Sequence, residues 1–220
     1  MISVAIDGPS GAGKSTLAKR LAKELGYLYV DTGAMYRSIG LFALRKGVDL
    51  KNEAAVTALL PEIQIELRYE NGTQRVILCG EDVSEAIRAE KVGMATSAVS
   101  AYPPVRAFLL DLQRGMARTH DILMDGRDIG TVILPNATVK IFLTASAEAR
   151  ADRRFKELQE KGVNTDYDTV LEDIRRRDYQ DSHRETAPLR QAEDAVLVDT
   201  SEMDLEQSFQ ALKALILSRV

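Results

Sequence analysis

The sequence predicts an α/β fold, a five-stranded parallel sheet with helices on both faces. Three observations point there. Short apolar runs alternate with stretches whose apolar residues recur at helical spacing. Several of those runs end in an aspartate followed by a small or polar residue. The first run enters a glycine-rich turn that leads into a helix. Strands separated by helices pair in parallel and are covered on both faces. Ligands of such sheets sit beyond the carboxyl ends of the strands, so the residues after each run carry the functional reading.

Ile2 to Asp7 is the first expected strand, and Leu17, Leu21 and Leu25 set the buried stripe of the helix after it. Tyr27 to Asp31 is the second strand. The pattern then breaks: Ile63, Ile65, Leu67 and Tyr69 alternate with polar residues, Asn71-Gly72 supplies a hairpin turn, and Val76-Ile77-Leu78 returns. This half-exposed antiparallel sheet implies an insertion over 32–102 forming its own lobe, with the core over 1–31, 103–149 and 190–220. Pro103-Pro104 starts a helix with Val105, Phe108, Leu109, Leu112 and Met116 on the buried stripe. Ile122 to Asp125, Val139 to Leu143 and Ala195 to Asp199 complete the buried strands. Between the last two lies an arginine-rich region, 150–189, with two helical stretches about a turn at Lys161-Gly162. Leu205 to Leu217 is a closing helix on the core.

Composition narrows the function. With 220 residues, 45% of them hydrophobic, one domain with inserted parts can bury a full core. A net charge of -4 and a pI near 5.4 argue against a nucleic-acid polymer as partner. Cys79 is the single cysteine, which permits no internal disulfide and fits a reducing cytoplasm. His120, His183 and Cys79 have no zinc-type spacing. With no signal peptide, bilayer-length apolar run or oligomerisation helix in view, the expectation is a cytoplasmic monomer away from membranes.

The turn Gly8-Pro9-Ser10-Gly11-Ala12-Gly13-Lys14-Ser15-Thr16 matches the phosphate-binding P-loop and has the strand before it and the helix after it that the motif requires. Glycines allow successive N–H groups to point at phosphates, and the helix N-terminus adds the positive end of its dipole. Lys14 can reach the β- and γ-phosphates, and the Ser15 hydroxyl can ligate Mg²⁺. A bound nucleoside triphosphate follows.

Three further segments narrow the P-loop class. Asp31-Thr32-Gly33-Ala34-Met35-Tyr36-Arg37, Asp125-Gly126-Arg127-Asp128 and Arg177-Asp178-Tyr179-Gln180-Asp181-Ser182-His183-Arg184, in this order after the phosphate loop, resemble the bacterial cytidylate kinase family. The resemblance runs the length of the chain, inserted hairpin included. It implies a P-loop nucleoside monophosphate kinase fold, with a monophosphate-binding lobe over 32–102 and a short lid over 150–189. The implied reaction moves the γ-phosphoryl group of ATP, with Mg²⁺, to CMP or dCMP, giving CDP or dCDP and ADP.

The residues suit that reaction on their own chemistry as well. Phosphoryl transfer needs two anionic substrates in line and positive charge around the moving group. Arg37 lies about one helical turn past the strand end at Asp31, where a guanidinium can clamp an acceptor phosphate or remain a solvated helix charge. Asp125 reads as a carboxylate holding Mg²⁺-bound water or as a turn cap. Arg177, Asp181 and Arg184 share an i, i+4, i+7 spacing, which also fits an ion-pair ladder on one helix face. Arg150, Arg153 and Arg154, together with Arg177, fit lid cations that neutralise the transferring group, with a surface charge open for at least one of the first three.

The remaining roles rest on the resemblance. It implies that Arg127 contacts phosphate, and that Asp128 accepts from the cytosine amino group. It places Ser97 and Arg106 on the base, and Asp181 with Arg177 on the pentose hydroxyls. Arg184 reaches the nucleotide beside them. Thr32 keeps the hydroxyl of a position that is serine in some relatives, and Thr16 is left to the α-phosphate. Alternatives are another monophosphate or small-molecule kinase, a GTPase and an assembly ATPase. The guanine-reading N-K-x-D motif of a GTPase does not occur in the chain.

Overall fold

The computed structural model describes residues 1–70 and 73–220, so the expected turn at Asn71-Gly72 lies outside the described residues. The chain separates into two compact units, Met1–Tyr29 with His120–Val220, and Val30–Thr119. The division falls inside the second strand and assigns the helix that starts at Pro103 to the second unit.

The main sheet holds β1 (Ser3–Asp7), β2 (Leu28–Asp31), β6 (Ile122–Gly126), β7 (Val139–Thr144) and β8 (Val196–Asp199) in the order β2-β6-β1-β7-β8. All five expected strands are there, within a residue or two of their expected limits. β1 is central and runs parallel to both β6 and β7, in a register that sets Asp7 opposite Gly126 and Phe142. Alternation sends Val4, Ile6, Leu123, Val139 and Ile141 to one face. There they form a core with Leu17 and Leu21 of α1 (Lys14–Leu25) and Phe209, Leu212 and Ile216 of α8 (Leu205–Leu217). The opposite face carries Asp7 and Lys140, both buried.

β8 departs from expectation. It is the last strand of the sheet, and its residues alternate between half-buried and exposed. Val198 packs on the core while Leu197 stays 55% exposed, because an edge strand has only one covered side here.

Still in the first unit, α6 (Ala147–Glu160) and α7 (Tyr167–His183) form a hairpin with its own small core of Ala151, Val170 and Ile174, flanked by Phe155, Leu158 and Leu171. Ser146 and Asp166 cap the two helices, each accepting from a backbone N–H three residues on. The turn between them includes Gly162 at φ 70°, as the Lys161-Gly162 pair predicts.

The second unit joins α2 (Thr32–Lys46), α3 (Glu53–Thr57), α4 (Glu90–Val99) and α5 (Pro103–Thr119) to an antiparallel sheet of β3 (Ile65–Glu70), β4 (Thr73–Leu78) and β5 (Glu81–Asp82). The hairpin of β3 and β4 matches the alternating pattern, whereas β5 is too short to show in the sequence. The buried stripe of α5 is mixed: Val105 and Leu109 are buried with Arg106 and Gln113, and Phe108 is exposed. No helix among the described residues is long and apolar enough to cross a membrane.

The core and the edge should respond differently to truncation. Leu212→Ala should cost about 2–5 kcal/mol, and Leu197→Ala should stay within about 0.5 kcal/mol, both read from urea unfolding midpoints. Comparable losses would show that β8 is covered in solution.

Candidate active site

The phosphate loop leaves the carboxyl end of the central strand, because β1 stops at Asp7 and α1 begins at Lys14. Gly8 is obligatory there: a Cβ at that position would sit 1.9 Å from the Leu143 carbonyl oxygen. Gly13 precedes α1 and supplies no side-chain acceptor to the first turn, so the helix keeps N–H groups directed toward an anion. Lys14 is buried, and its Nζ donates to the Pro9 carbonyl at 2.6 Å. Burial first, and then the Arg127 cation, pull its pKa well below the usual ammonium range to about 7, against the opposing pull of Asp125, Asp181 and Asp7.

Asp125 lies one residue before the end of β6, on the α1 face of the sheet. Its Oδ2 accepts from Ser15 Oγ and its Oδ1 from the Tyr29 hydroxyl, each at 2.8 Å. A hydroxyl and a carboxylate side by side, next to a phosphate loop, are the oxygen donors that Mg²⁺ takes alongside substrate phosphates. Among the described residues no group of three or more His, Cys, Asp or Glu could hold a metal by itself. Tyr29 was read only as a strand residue. Its signal was available, since a buried tyrosine hydroxyl needs a polar partner.

Asp7, one residue before the loop, accepts from the backbone N–H groups of Ile129 and Gly130 at 2.7 Å each. Those residues open a π-helical turn, Ile129–Ile133, straight after Arg127-Asp128. Burial pushes the Asp7 carboxyl up to about 6 against the lowering effect of both N–H donors; Asp128 adds to the rise and Lys14 opposes it.

Arg127, Asp128, Asp181 and Arg184 are brought together. Arg127 Nε donates to Asp181 Oδ2 at 2.8 Å, and Arg184 Nη2 lies 3.6 Å from Asp128 Oδ1. Burial raises the Asp181 pKa, but Arg127, Arg177 and Arg184 together outweigh it and hold the carboxyl low. Arg177 and Asp181 share a face of α7, as the spacing predicts. Arg184 does not, because the helix ends at His183 and Arg184 is extended, with Nε donating to the Ala187 carbonyl at 2.7 Å.

The three arginines of α6 part company. Arg150 is buried in a two-pronged pair with Asp178, which rules out the surface-charge alternative for it. Arg153 donates to the Thr200 carbonyl at 2.5 Å, in the loop after β8. Arg154 is 46% exposed and pairs with Glu157 one turn along its own helix.

The second unit holds the other candidates. Thr32 starts α2, whose cap is Asp31, accepting from Ala34 N at 3.0 Å. Arg37 Nη1 donates to the Ile87 carbonyl at 2.9 Å. Ser97 lies on α4, with Oγ donating to the Gly93 carbonyl at 3.3 Å. Arg106 donates to the Ser100 carbonyl at 3.0 Å and spreads its guanidinium over the Tyr36 ring at 5.4 Å. Arg88 was missed: its Nη2 lies 3.2 Å from Asp31 Oδ2, one residue past the carbonyl that binds Arg37. No sequence pattern marks it, since the short 3₁₀ turn Ala86–Arg88 that presents it lacks periodicity.

The family model described as cytidylate kinase matches residues 4–217. A cytidylate kinase of Bacillus licheniformis is 51% identical over 207 residues, covering 94% of this chain and 92% of that one. One from Enterococcus faecalis is 50% identical over 215 residues, covering 98% and 95%. Among solved structures, a gluconokinase from Sinorhizobium meliloti has a TM-score of 0.50 at 13% identity, covering 99% of this chain and 92% of that one. At that identity it is similar in fold alone.

Lys14 yields a measurable proton count. At pH 8 a lysine with a pKa near 7 is mostly neutral, and triphosphate beside it favours the charged form, so binding takes up a proton. Affinity should fall as pH rises through 7. Calorimetric titration with Mg-ATP in two buffers of different ionisation enthalpy should show the uptake, and Lys14→Met should abolish it. Equal enthalpies for the native protein would place the Lys14 pKa well above 8.

Proposed function

The chain belongs to the cytidylate kinase family, and from that premise we propose how its residues divide one reaction. It transfers the γ-phosphoryl group of ATP to CMP, giving CDP and ADP; dCMP is the second acceptor we assign. The observation that carries the residue assignment is the array of Arg127, Asp128, Asp181 and Arg184 in the same unit as the phosphate loop.

The loop N–H groups and Lys14 hold the donor phosphates, and Lys14 in its charged form neutralises the negative charge that grows on the moving group. Ser15 and Asp125 would hold Mg²⁺ directly or through its water, and that ion supplies charge neutralisation between the β- and γ-phosphates. Arg37 and Arg88 take the acceptor phosphate, and Arg127 is assigned a phosphate contact. Asp181 with Arg177 orients the pentose through its hydroxyls, and Arg184 steadies Asp128. Asp128, Ser97 and Arg106 read the base, with Asp128 accepting from the cytosine amino group. Of the α6 cations, Arg153 and Arg154 remain assigned to the transferring phosphoryl group, within a lid over 150–189 that excludes water. The single cysteine supports work in a reducing cytoplasm, the acidic charge argues against a nucleic-acid polymer as partner, and we assign a monomer.

Base selection is the discriminating test. Uracil presents an acceptor where cytosine presents its amino group, so the Asp128 carboxylate would face another acceptor. An unpaired polar contact of that kind costs about 1–3 kcal/mol, or roughly one to two orders of magnitude in kcat/KM. Coupled-assay ADP release should therefore favour CMP over UMP, and Asp128→Ala should narrow that ratio by hurting CMP more. An unchanged ratio would move base selection to Ser97 and Arg106. ADP release without any acceptor would instead favour an ATPase.

A further inference from the structure

We propose that Arg150 and Asp178 are a positioning pair that sets the phosphate loop and couples it to α7. The inference rests on the reading above, in which the loop takes ATP and α7 carries the pentose-reading residues.

Each nitrogen of the Arg150 guanidinium is engaged. Nε donates to the Ala145 carbonyl at 2.9 Å and Nη1 to the Ser10 carbonyl at 3.0 Å. Nη1 and Nη2 also fork onto Asp178 Oδ1 and Oδ2 at 2.9 and 2.6 Å. The side chain is 5% exposed, so this is a buried charge matched by one carboxylate and two carbonyls.

The contact with Ser10 has a directional consequence. In a planar trans peptide the carbonyl and the following N–H point opposite ways. With the Ser10 carbonyl drawn to Arg150, the Gly11 N–H points away from it, toward the inside of the loop where phosphate oxygens bind. Gly11 keeps φ at 76°, and its Cα abuts the Arg150 stem, leaving 3.5 Å between an added Cβ and Arg150 Cβ. Arg150 thus holds one donor of the anion cradle in its binding direction.

The other end of the pair is Asp178. It lies three residues before Asp181 on the same side of α7, and Asp181 is held by Arg127. The helix is therefore pinned at two neighbouring points, one leading to the loop and one to Arg127. A shift of α7 on binding the acceptor pulls on Arg150 and so on the Ser10-Gly11 peptide. Binding of donor and acceptor should be energetically coupled through this pair, and reciprocally so.

The test uses the full chain, a non-hydrolysable ATP analogue with Mg²⁺, and CMP. Calorimetry gives the analogue affinity with and without CMP, and thermal melts report the fold. In the native protein each ligand should tighten the other by at least about threefold. Asp178→Asn keeps the shape but loses the charge and one acceptor, and should weaken the analogue about tenfold and bring the coupling factor near one. Arg150→Lys, which keeps the charge without the fork, should retain part of the coupling. If Asp178→Asn does not fold, Arg150→Lys reads the loss as a partial one. Arg175→Gln removes a different ion pair between α6 and α7, the exposed one with Glu148, and should leave both quantities unchanged.

Three outcomes overturn the proposal. One is a lower melting temperature in the pair variants with native analogue affinity and coupling. Another is an Arg175→Gln effect equal to that of Asp178→Asn. The third is no coupling in the native protein. CMP-dependent ADP release by the native protein is measured separately, so a failed coupling experiment is distinguishable from a failed kinase assignment.

Discussion

The parallel pairing of β1 on both of its sides is the constraint from which the chemistry follows. A strand hydrogen-bonded to β6 and β7 cannot slip register without turning its core face outward. That register fixes Ile6 beside Asp125 and Asp7 beside Gly126. The phosphate loop thus starts level with the end of β6, and Ser15 finds the Asp125 carboxylate although 110 residues separate them. Asp7 makes the second connection, from the root of the loop to the backbone just beyond Asp128. Two carboxylates on opposite faces of the sheet hold the loop and the Arg127-Asp128 segment in one frame.

Charge in the first unit is arranged in alternation. Lys14, Arg127, Arg177 and Arg184 are interleaved with Asp125, Asp128 and Asp181, buried or half-buried, so each ion has an opposite neighbour. Such pairing offsets part of the desolvation cost without making the ions a source of stability. Burial moves two groups at the loop furthest from their ordinary range: Lys14 falls and Asp7 rises. Both shifts place a proton close to its exchange point near neutrality, at the root of the loop that meets the phosphates.

Much of this was legible. The alternation of apolar runs and helical stripes located every strand of the main sheet, and the hairpin pattern at Ile63 to Leu78 located two strands of the second sheet, β3 and β4. Short-range rules work at these places because the period of apolar residues is itself the cause of burial. They failed where tertiary context decides. Nothing local says that β8 is an edge, that Arg106 and Gln113 are buried on α5, or that α7 stops at His183. Arg150 is the instructive case: in sequence it is one of several similar arginines. Its burial depends on Asp178, 28 residues away, and on a carbonyl 140 residues away. Spacing along a helix cannot carry that information.

The small core between α6 and α7 has a consequence for how the molecule comes apart. Ala151, Val170 and Ile174 face one another, while the hairpin is attached to the rest of the unit by hydrogen bonds at Arg150 and Arg153 and by the ion pair of Asp181 with Arg127. An element with its own apolar centre and polar moorings behaves as a cooperative subunit of unfolding, able to detach and re-form while the sheet stays intact. Amide protons in the two helices would then exchange together, ahead of those in β1 and β6. The molecule would spend a small fraction of its time with the hairpin open on an otherwise native scaffold.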